Sequence, residues 1–136
     1  MSTPYAALTP VQAAFYARMV GDALLMDMVT GVHDETPEDA AYPYITFGGF
    51  TESADNAHGE FGRRTVVSLD VWSAYGGFGE LNAILWRLQE LFDEQPLDVV
   101  GCRHVSTRFE FAQNMKDSDP KLRHGHIRFR VTTGRE

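Results

Sequence analysis

Cysteine and long apolar runs are both scarce in this chain of 136 residues. Cys102 is its one thiol, so no disulfide can form within the chain, and its simplest interpretation is a small buried apolar side chain. No apolar run approaches the roughly 18 residues that a membrane-spanning helix needs. The stretch from Met1 to Tyr5 has neither the basic segment nor the apolar core of a signal peptide. We therefore expect a protein of a reducing compartment, with no membrane span and no secretion leader.

Positive charge is also in short supply. The chain has 12 Lys and Arg against 19 Asp and Glu, for a formal net charge of −7. Binding to nucleic acid depends on neutralising phosphates with Lys and Arg, so this balance argues against a protein that grips DNA or RNA. The acidic residues concentrate in segments 34–39 and 52–60, and the basic ones in 123–135. This asymmetry suits head-to-tail contacts between copies, although solvated loops explain it as well.

Motifs that carry chemistry are missing too. The sequence contains no GxxxxGK[ST], no GxGxxG between a strand and a helix, and no GxSxG. Two carboxylate pairs, Asp34/Glu35 and Glu38/Asp39, lie in a loop segment without a basic partner at a fixed spacing, so nothing predicts a tuned acid or base. We therefore predict no catalytic residues, no cofactor and a protein that is not an enzyme.

Alternation of apolar and polar residues marks two strands near the end of the chain. A period of two puts successive side chains on opposite sheet faces, so each run is half buried. The polar loop 113–123 joins the runs, which predicts an antiparallel hairpin. The predicted core face consists of Val105, Thr107, Phe109 and Phe111 in the first run and Ile127, Phe129 and Val131 in the second.

A first helix is predicted from Thr9 onward. Thr9 can cap it, Pro10 suits the first helical position, and Gln12 completes a capping box. Residues 21–22 are expected to break this helix, and a short second helix is expected to end at Gly31.

The second main helix follows the glycines at positions 76 and 77. Glu80 lies near its start, and Pro96 stops it. One side of this helix is apolar, formed by Leu81, Ile84, Leu85, Leu88, Leu91 and Phe92.

Further strands are predicted at 42–48, around Thr65 to Val71, and, as a short one, at 97–100. A polar loop of about 14 residues, 50–63, separates the first two. The order is helix, strand, strand, helix, strand, strand. It predicts an α+β fold in a single domain, 1–136: an antiparallel sheet with two main helices packed on one face, in a two-layer sandwich.

Two histidines, His124 and His126, are predicted to project from the same face of the last strand, and His104 of the partner strand to lie alongside. Three imidazoles are the raw material of a zinc site, but the flanking residues on that face are arginines, which disfavour a cation. The alternative is a set of solvated or interface histidines. No metal site is assigned.

The sheet face opposite the core carries charges in rows. Opposite charges on neighbouring strands can neutralise one another in solvent. The functional alternative is a subunit or partner interface, because arginine and tryptophan are enriched there. The candidate residues are Asp70, Trp72, Arg108, Glu110, Arg128 and Arg130.

Taken in order, several segments resemble the tail-completion, or tail-terminator, proteins of long-tailed bacteriophages and of phage-derived gene transfer agents. These segments are QAAFYAR (12–18), YPYITFG (42–48), LDVWSAYG (69–76) running into Glu80, FEF (109–111), DSD (117–119) and RHGHIRFR (123–130). The resemblance extends from about residue 10 to residue 132.

The resemblance implies an α+β structural protein without catalytic residues, assembled in the bacterial cytoplasm and located in the virion tail or neck. It implies a hexameric ring that caps the tail tube, stops its growth and joins the tail to the head connector, with the tail-tube and connector proteins as partners. DNA would pass through the ring without specific binding, and an acidic lining would repel it.

Acidic loops are the candidates for the ring's lumen or for partner contacts. They are segments 33–39, 50–63 and 113–121, with Asp34, Glu35, Glu38, Asp39, Glu52, Asp55, Glu60, Asp117 and Asp119 as their carboxylates. Two alternatives remain open: a head–tail connector or neck adaptor of the same architecture, and a small metal- or ligand-binding domain that uses the face of His104 and His126.

Overall fold

The computed structural model describes residues 5–56 and 60–136. In those residues it has three helices and five strands, a mixed α/β composition consistent with the predicted α+β class. The helices are α1 (Leu8–Val20), α2 (Ala23–Met28) and α3 (Gly79–Phe92); the strands are β1 (Val32–His33), β2 (Tyr44–Ala54), β3 (Gly62–Ser73), β4 (Cys102–Lys116) and β5 (Arg123–Arg135).

The five strands form one sheet in the order β1-β2-β3-β5-β4. Strands β2, β3, β5 and β4 pair antiparallel along this order. The prediction of a wholly antiparallel sheet is wrong at its edge, where β1 runs parallel to β2 through the pairs Val32–Ile45 and His33–Thr46. A strand of two residues is too short to show a period, so the sequence contains no signal for it.

One sheet face and the helices share a core. Alternate residues of β3 and β5 on this face, such as Leu69 and Ile127, are fully buried, as their spacing predicts. Phe15 of α1 stacks on Phe92 of α3 with ring centroids 4.1 Å apart. Both rings also contact Phe129 of β5, at 5.9 Å and 5.4 Å. Both main helices thus meet β5 in a single aromatic cluster.

Strand β4 departs from the predicted face pattern. Thr107 and Phe109 face the core, opposite Val131 and Phe129, but the register with β5 shifts on either side of them. Val105 is 51 % exposed and Phe111 is 39 % exposed, so their predicted place in the core is wrong. A bulge inserts one extra residue and moves the following side chains to the opposite face, which alternation alone does not reveal.

The predicted cap of α1 is also wrong. Leu8 starts the helix, so Thr9 lies inside it, and the N-cap residue Ala7 makes no side-chain capping bond. The carboxylate of Glu52, on β2, accepts a hydrogen bond from the Ala7 N–H at 2.7 Å. An acid distant in sequence thus serves this helix terminus, where negative charge is favourable.

The break between α1 and α2 is confirmed. Val20 ends α1, Gly21 follows it, and the Asp22 carboxylate caps α2 by accepting from the Leu25 N–H at 2.9 Å. Helix α2 ends at Met28, however, and Gly31 is not its stop.

Two loop predictions and one strand prediction need correction. Strand β4 continues to Lys116 and β5 begins at Arg123, so the predicted loop 113–123 shrinks to 117–122. Strand β2 continues to Ala54 and β3 begins at Gly62, so the predicted loop 50–63 shrinks to 55–61, of which 57–59 lie outside the described residues. Segment 97–100 is not a strand, although Leu97 and Val99 are buried. The polar composition of 50–54 reflects a strand near the sheet edge and not a loop.

Candidate functional site

The second face of the sheet, which we call the open face, is made of the residues of β3 and β5 that alternate with the core positions. None of them belongs to the hydrophobic core cluster. The open face comprises Arg64, Val66, Ser68, Asp70 and Trp72 of β3 with His124, His126, Arg128, Arg130 and Thr132 of β5.

Asp70 is the centre of a polar cluster on the open face. Its Oδ1 lies 2.7 Å from Nε2 of His124 and 3.0 Å from Nδ1 of His126. A carboxylate accepts hydrogen bonds, so these contacts require a proton on each of those two nitrogens. The ring of Trp72 stacks on His124 at a centroid distance of 4.0 Å and an angle of 2°. The Trp72 Nε1–H donates to Thr46 Oγ1 at 3.2 Å, which ties the cluster to β2.

Two glycines make room for this cluster. A Cβ on Gly48 would lie 2.3 Å from Asp70 Oδ2, so the irregularity in β2 at this glycine gives the carboxylate its space. Gly125, between the two histidines, faces the opposite way. A Cβ there would lie 2.7 Å from Leu81 Cδ1 of α3, so the glycine allows close packing of helix on strand. Gly125 therefore connects the two histidines of the Asp70 cluster to the packing of α3 on the other side of the strand.

Arginine and aromatic side chains continue the open face toward β4. The Arg128 guanidinium lies 5.1 Å from the ring centroid of Phe111, a cation–π geometry. Its Nε is buried without a hydrogen-bond partner in the described residues. Arg130 Nε lies 3.9 Å from Glu110 Oε2. Both arginine contacts therefore cross from β5 to β4.

The structure brings most of the predicted interface residues together. Asp70, Trp72, Arg128 and Arg130 share the open face, and Glu110 reaches it from the bulge in β4. Arg108 is opposite Arg130, but its exposed guanidinium turns to Glu94 beyond α3, at 3.3 Å.

Sequence reasoning missed Gly48 and Phe111 as members of this surface. For Phe111 the missing information is the bulge. For Gly48 no sequence signal identifies the close approach of Asp70.

His104 does not join the other two histidines. It pairs with Thr133, a buried position on the core side of β5, whereas His124 and His126 lie on the open face. Its Nε2 lies 2.7 Å from Thr107 Oγ1. Burial, helped by the nearby charge of Arg18, lowers the pKa of His104. The predicted row of three imidazoles is therefore wrong.

Among residues 5–56 and 60–136, no three His, Cys, Asp or Glu side chains form a group suited to hold a metal ion. The thiol of Cys102 is partly buried, and burial raises its pKa. A raised pKa leaves less thiolate, the nucleophilic form of the thiol, at neutral pH.

Eight of the nine predicted acidic residues lie in three separate loops. Those of segment 34–39 are exposed in the loop from β1 to β2; Asp55 and Glu60 lie in the β2–β3 loop; Asp117 and Asp119 lie in the β4–β5 turn. Glu52 is in β2 and not in a loop, which corrects its predicted place. Its carboxylate also lies 3.7 Å from Arg63 Nε.

The two loops at the strand ends lie at opposite ends of the sheet. Gly62 pairs with Gly134 at the end of the β2–β3 loop, and Ser73 pairs with Arg123 at the end of the β4–β5 turn. Asp55 contacts Arg64 at 3.5 Å. Asp119 accepts from the Lys121 N–H at 3.0 Å, within the turn.

Fold and surface together define the class of protein: a small mixed α/β domain whose sheet has a charged, aromatic face outside the core. Its described helices include none long and apolar enough to span a bilayer. The family model described as tail completion protein gp17 matches residues 13–134. The chain therefore belongs to the tail completion protein gp17 family, whose members are structural components of virion tails.

Individual relatives agree with this assignment. The tail completion protein gp17 of Bacillus phage SPP1 is 30% identical over 110 residues, which cover 79% of this chain and 80% of that protein. The solved structure of SPP1 gp17 has a TM-score of 0.65 and 26% identity, covering 91% of this chain and 88% of that one. A chain in the virion of a native gene transfer agent particle has a TM-score of 0.87 and 20% identity, covering 96% and 99%. The last likeness concerns the fold alone.

Proposed function

We propose that this tail completion protein forms a hexameric ring that caps the tail tube, ends its growth and joins the tail to the head connector. The observation that carries the proposal is the family match over residues 13–134, nearly the whole folded chain. A tail component that ends a polymer must bind the last ring of tube subunits and leave no new growing edge. A closed ring suits the end of a tube because its heterologous contacts limit the number of copies and leave no free interface around the ring.

The open face is proposed as a protein contact surface. Its predicted interface residues Asp70, Trp72, Arg128 and Arg130 lie together there, with Glu110 beside them. Arginine and tryptophan are enriched at interfaces, and stacked or ion-paired side chains are already ordered before a partner binds. This supports a surface that docks another protein of the tail with little loss of side-chain freedom.

The acidic loops are proposed as contacts at the ring's two ends and along its bore. The β2–β3 loop with Asp55 and Glu60 lies at one end of the strands, and the β4–β5 turn with Asp117 and Asp119 at the other. A ring between tube and connector needs two distinct ends. A net charge of −7 suits passage of DNA without binding, because anionic walls repel phosphates.

Native mass spectrometry tests the proposal. We would measure the purified chain over a concentration series, alone and with the tail-tube protein of the same particle. Hexamers, or monomers that become six-fold with the tube protein, are the expected result. A chain that stays monomeric and ignores the tube protein would overturn it.

The same experiment separates the proposal from a neck adaptor. A head–tail adaptor would bind the portal or connector protein and leave the tube protein alone. We would therefore add the connector protein to a parallel series. Binding to the connector without any binding to the tube would replace the terminator function by the adaptor function.

A further inference from the structure

We propose that neighbouring copies of this chain join through the two edges of the sheet: the β2 edge of one copy pairs with the β4 edge of the next. This inference rests on the proposed ring and specifies the contact that would build it. The partner that pairs with each edge is a second copy of this chain. Four observations support it. They are the unpaired stretches of the two edge strands, the directions of these strands, the positions of their residues in the rows of the sheet, and the charges of the two edge segments.

Both edges have a free stretch of similar length. Strand β1 pairs with β2 at Ile45 and Thr46, so within residues 5–56 and 60–136 the stretch 47–54 of β2 has β3 as its one strand neighbour. On the other side, the backbone of Glu94 and the carboxylate of Asp93 bond to Thr107 and Phe109 of β4. Residues 110–116 then pair with β5 alone in the described structure. Unpaired edges present backbone donors and acceptors that readily add another strand.

The strand directions are compatible with a ring whose copies are related by rotation. In the order β2-β3-β5-β4 every neighbour is antiparallel, so β2 and β4 run in opposite directions within one copy. A rotation about an axis along the strands keeps each direction. The β4 strand of one copy and the β2 strand of the next would then meet antiparallel, which continues the alternation of the sheet. The contact is heterologous, as a closed ring of identical copies requires.

The rows of paired residues across the sheet show how the two free stretches lie relative to each other. Thr46 and Gln113 belong to one row of paired residues, through Asp70 and His126. The start of β2 and the end of β4 are therefore level with each other. The two free stretches are therefore offset: residues 47–54 of β2 are level with residues 104–112 of β4 and overlap the free stretch of β4 only at 111–112. Strands in a closed ring of sheets tilt against the ring axis, which displaces neighbouring copies along the strands. A displacement of about four residues places the free stretch of β2 beside the free stretch of β4.

Charge distinguishes the two edges. Residues 32–56, which form β1, the acidic loop and β2, contain six carboxylates and no Lys or Arg. Residues 102–123, which form β4 and the following turn, contain five cations and three carboxylates. Opposite charge favours the unlike edges over two like ones and steers their encounter. The carboxylates are Asp34, Glu35, Glu38, Asp39, Glu52 and Asp55, and the cations are Arg103, Arg108, Lys116, Lys121 and Arg123.

Disulfide trapping tests the contact directly. In a Cys102→Ser background, one cysteine at Thr51 or Ser53 is combined with one at Phe111 or Gln113, all exposed positions. Three strand spacings of about 4.8 Å separate the two edges of a copy, which exceeds the reach of a disulfide, so any bridge joins two copies. The matched control combines Ala13→Cys and Ala83→Cys on exposed helix positions. Each variant is oxidised after assembly with the tail-tube protein.

Charge reversal provides a second, independent measurement. The double variant Lys116→Glu/Lys121→Glu should weaken six-fold assembly at least tenfold, measured by native mass spectrometry. Adding Glu35→Lys/Glu38→Lys to the same chain should restore it, because each contact again joins opposite charges. All four side chains are exposed in the single copy, so folding is not expected to depend on them.

The outcomes separate this inference from the function on which it rests. Covalent ladders up to six copies with the edge cysteines but not with the helix cysteines, together with restoration by the fourfold variant, would establish the contact. Six-fold assembly with no edge disulfide in any combination and no response to charge reversal would overturn the contact and keep the ring. Failure of the unmodified chain to assemble under any condition would overturn both.

Discussion

Gly125 shows how one residue links the open face to the core. Its two neighbours, His124 and His126, hold the Asp70 cluster on one side, while Leu81 and Leu85 of α3 press on its other side. The space that a methyl group would occupy is already filled. A side chain at this position must therefore displace the buried side chains of Leu81 and Leu85 or shift the helix against the strand.

We predict that Gly125→Ala destabilises the protein. Overpacking of a tight core contact costs about 1–3 kcal/mol, which is a fall of several degrees in melting temperature for a chain of this size. The control is Gly79→Ala at the first residue of α3, where a Cβ meets nothing within 4 Å. Thermal unfolding followed by circular dichroism measures both. Equal melting temperatures for the two variants would contradict the packing role of Gly125.

The lowered pKa of His104 predicts that the free energy of unfolding depends on pH. Burial lowers its pKa in the folded state, so the folded protein binds a proton there less readily than the unfolded chain, whose histidine titrates near 6.5. A lowered pKa gives stability that is fully present above about pH 6.5 and is lost as the pH falls through the lower folded value. The free energy of unfolding should therefore fall between pH 7.5 and pH 5.

The variant His104→Gln isolates this contribution, because glutamine keeps a polar group near Thr107 but does not titrate. Its free energy of unfolding, from urea titrations, should fall less than that of the unmodified protein over the same pH interval. A parallel fall in both proteins would assign the acid sensitivity to other groups.

At the scale of elements, Asp22 joins α2 to α3. Its carboxylate caps α2 through the Leu25 N–H and contacts Arg87 of α3 at 2.7 Å. The hydrogen bond from Arg87 holds the pKa of Asp22 below its usual value. One side chain thus serves a helix terminus and a contact between helices.

We predict that Asp22→Ala and Asp22→Asn differ. Alanine loses the cap, at a typical cost of about 1 kcal/mol, and the contact with Arg87. Asparagine keeps the cap and loses only the charge, so its free energy of unfolding should lie between those of Asp22→Ala and the unmodified protein. Chemical denaturation at pH 7 measures the three proteins.

Denaturation at low pH provides a second test of the contact between Asp22 and Arg87. Because the pKa of Asp22 is lowered, its charge stabilises the fold above about pH 4 and that stability is lost as the pH falls further. The gap between Asp22→Asn and the unmodified protein should therefore close below pH 4. A gap that persists at pH 3 would show that the ion pair is not its source.

The elements that alternation or helical spacing can describe were predictable, and those set by contacts distant in sequence were not. The buried faces of β3 and β5 and the apolar side of α3 follow from their periods, and the structure confirms them. The bulges of β4 and the cap of α1 by Glu52 depend on the neighbouring strand or helix. The same division holds for the open face, where Asp70 and Arg128 were found from spacing and Gly48 was not.

For the whole molecule, the sheet has two unlike edges and a patterned face, features that a solitary domain does not need. Long free edges are usually shielded in monomers, because they invite pairing with other chains. Among the described residues the shielding is partial: β1 protects two residues of β2, and segment 93–94 protects two of β4. An assembly that covers the remaining edges would explain why these residues leave them open.

The proposed function as a tail terminator makes a prediction about the length of the tails. Particles assembled without this chain should have tube ends that continue to accept subunits, so we expect overlong tails of variable length that are not joined to heads. Electron microscopy of particles from a deletion background, with the unmodified chain supplied in trans as the control, measures the length distribution. A broadened distribution that narrows again on complementation is the expected result. Tails of normal, uniform length that merely lack heads would contradict termination, because the defect would then lie in joining alone, the behaviour of a neck adaptor.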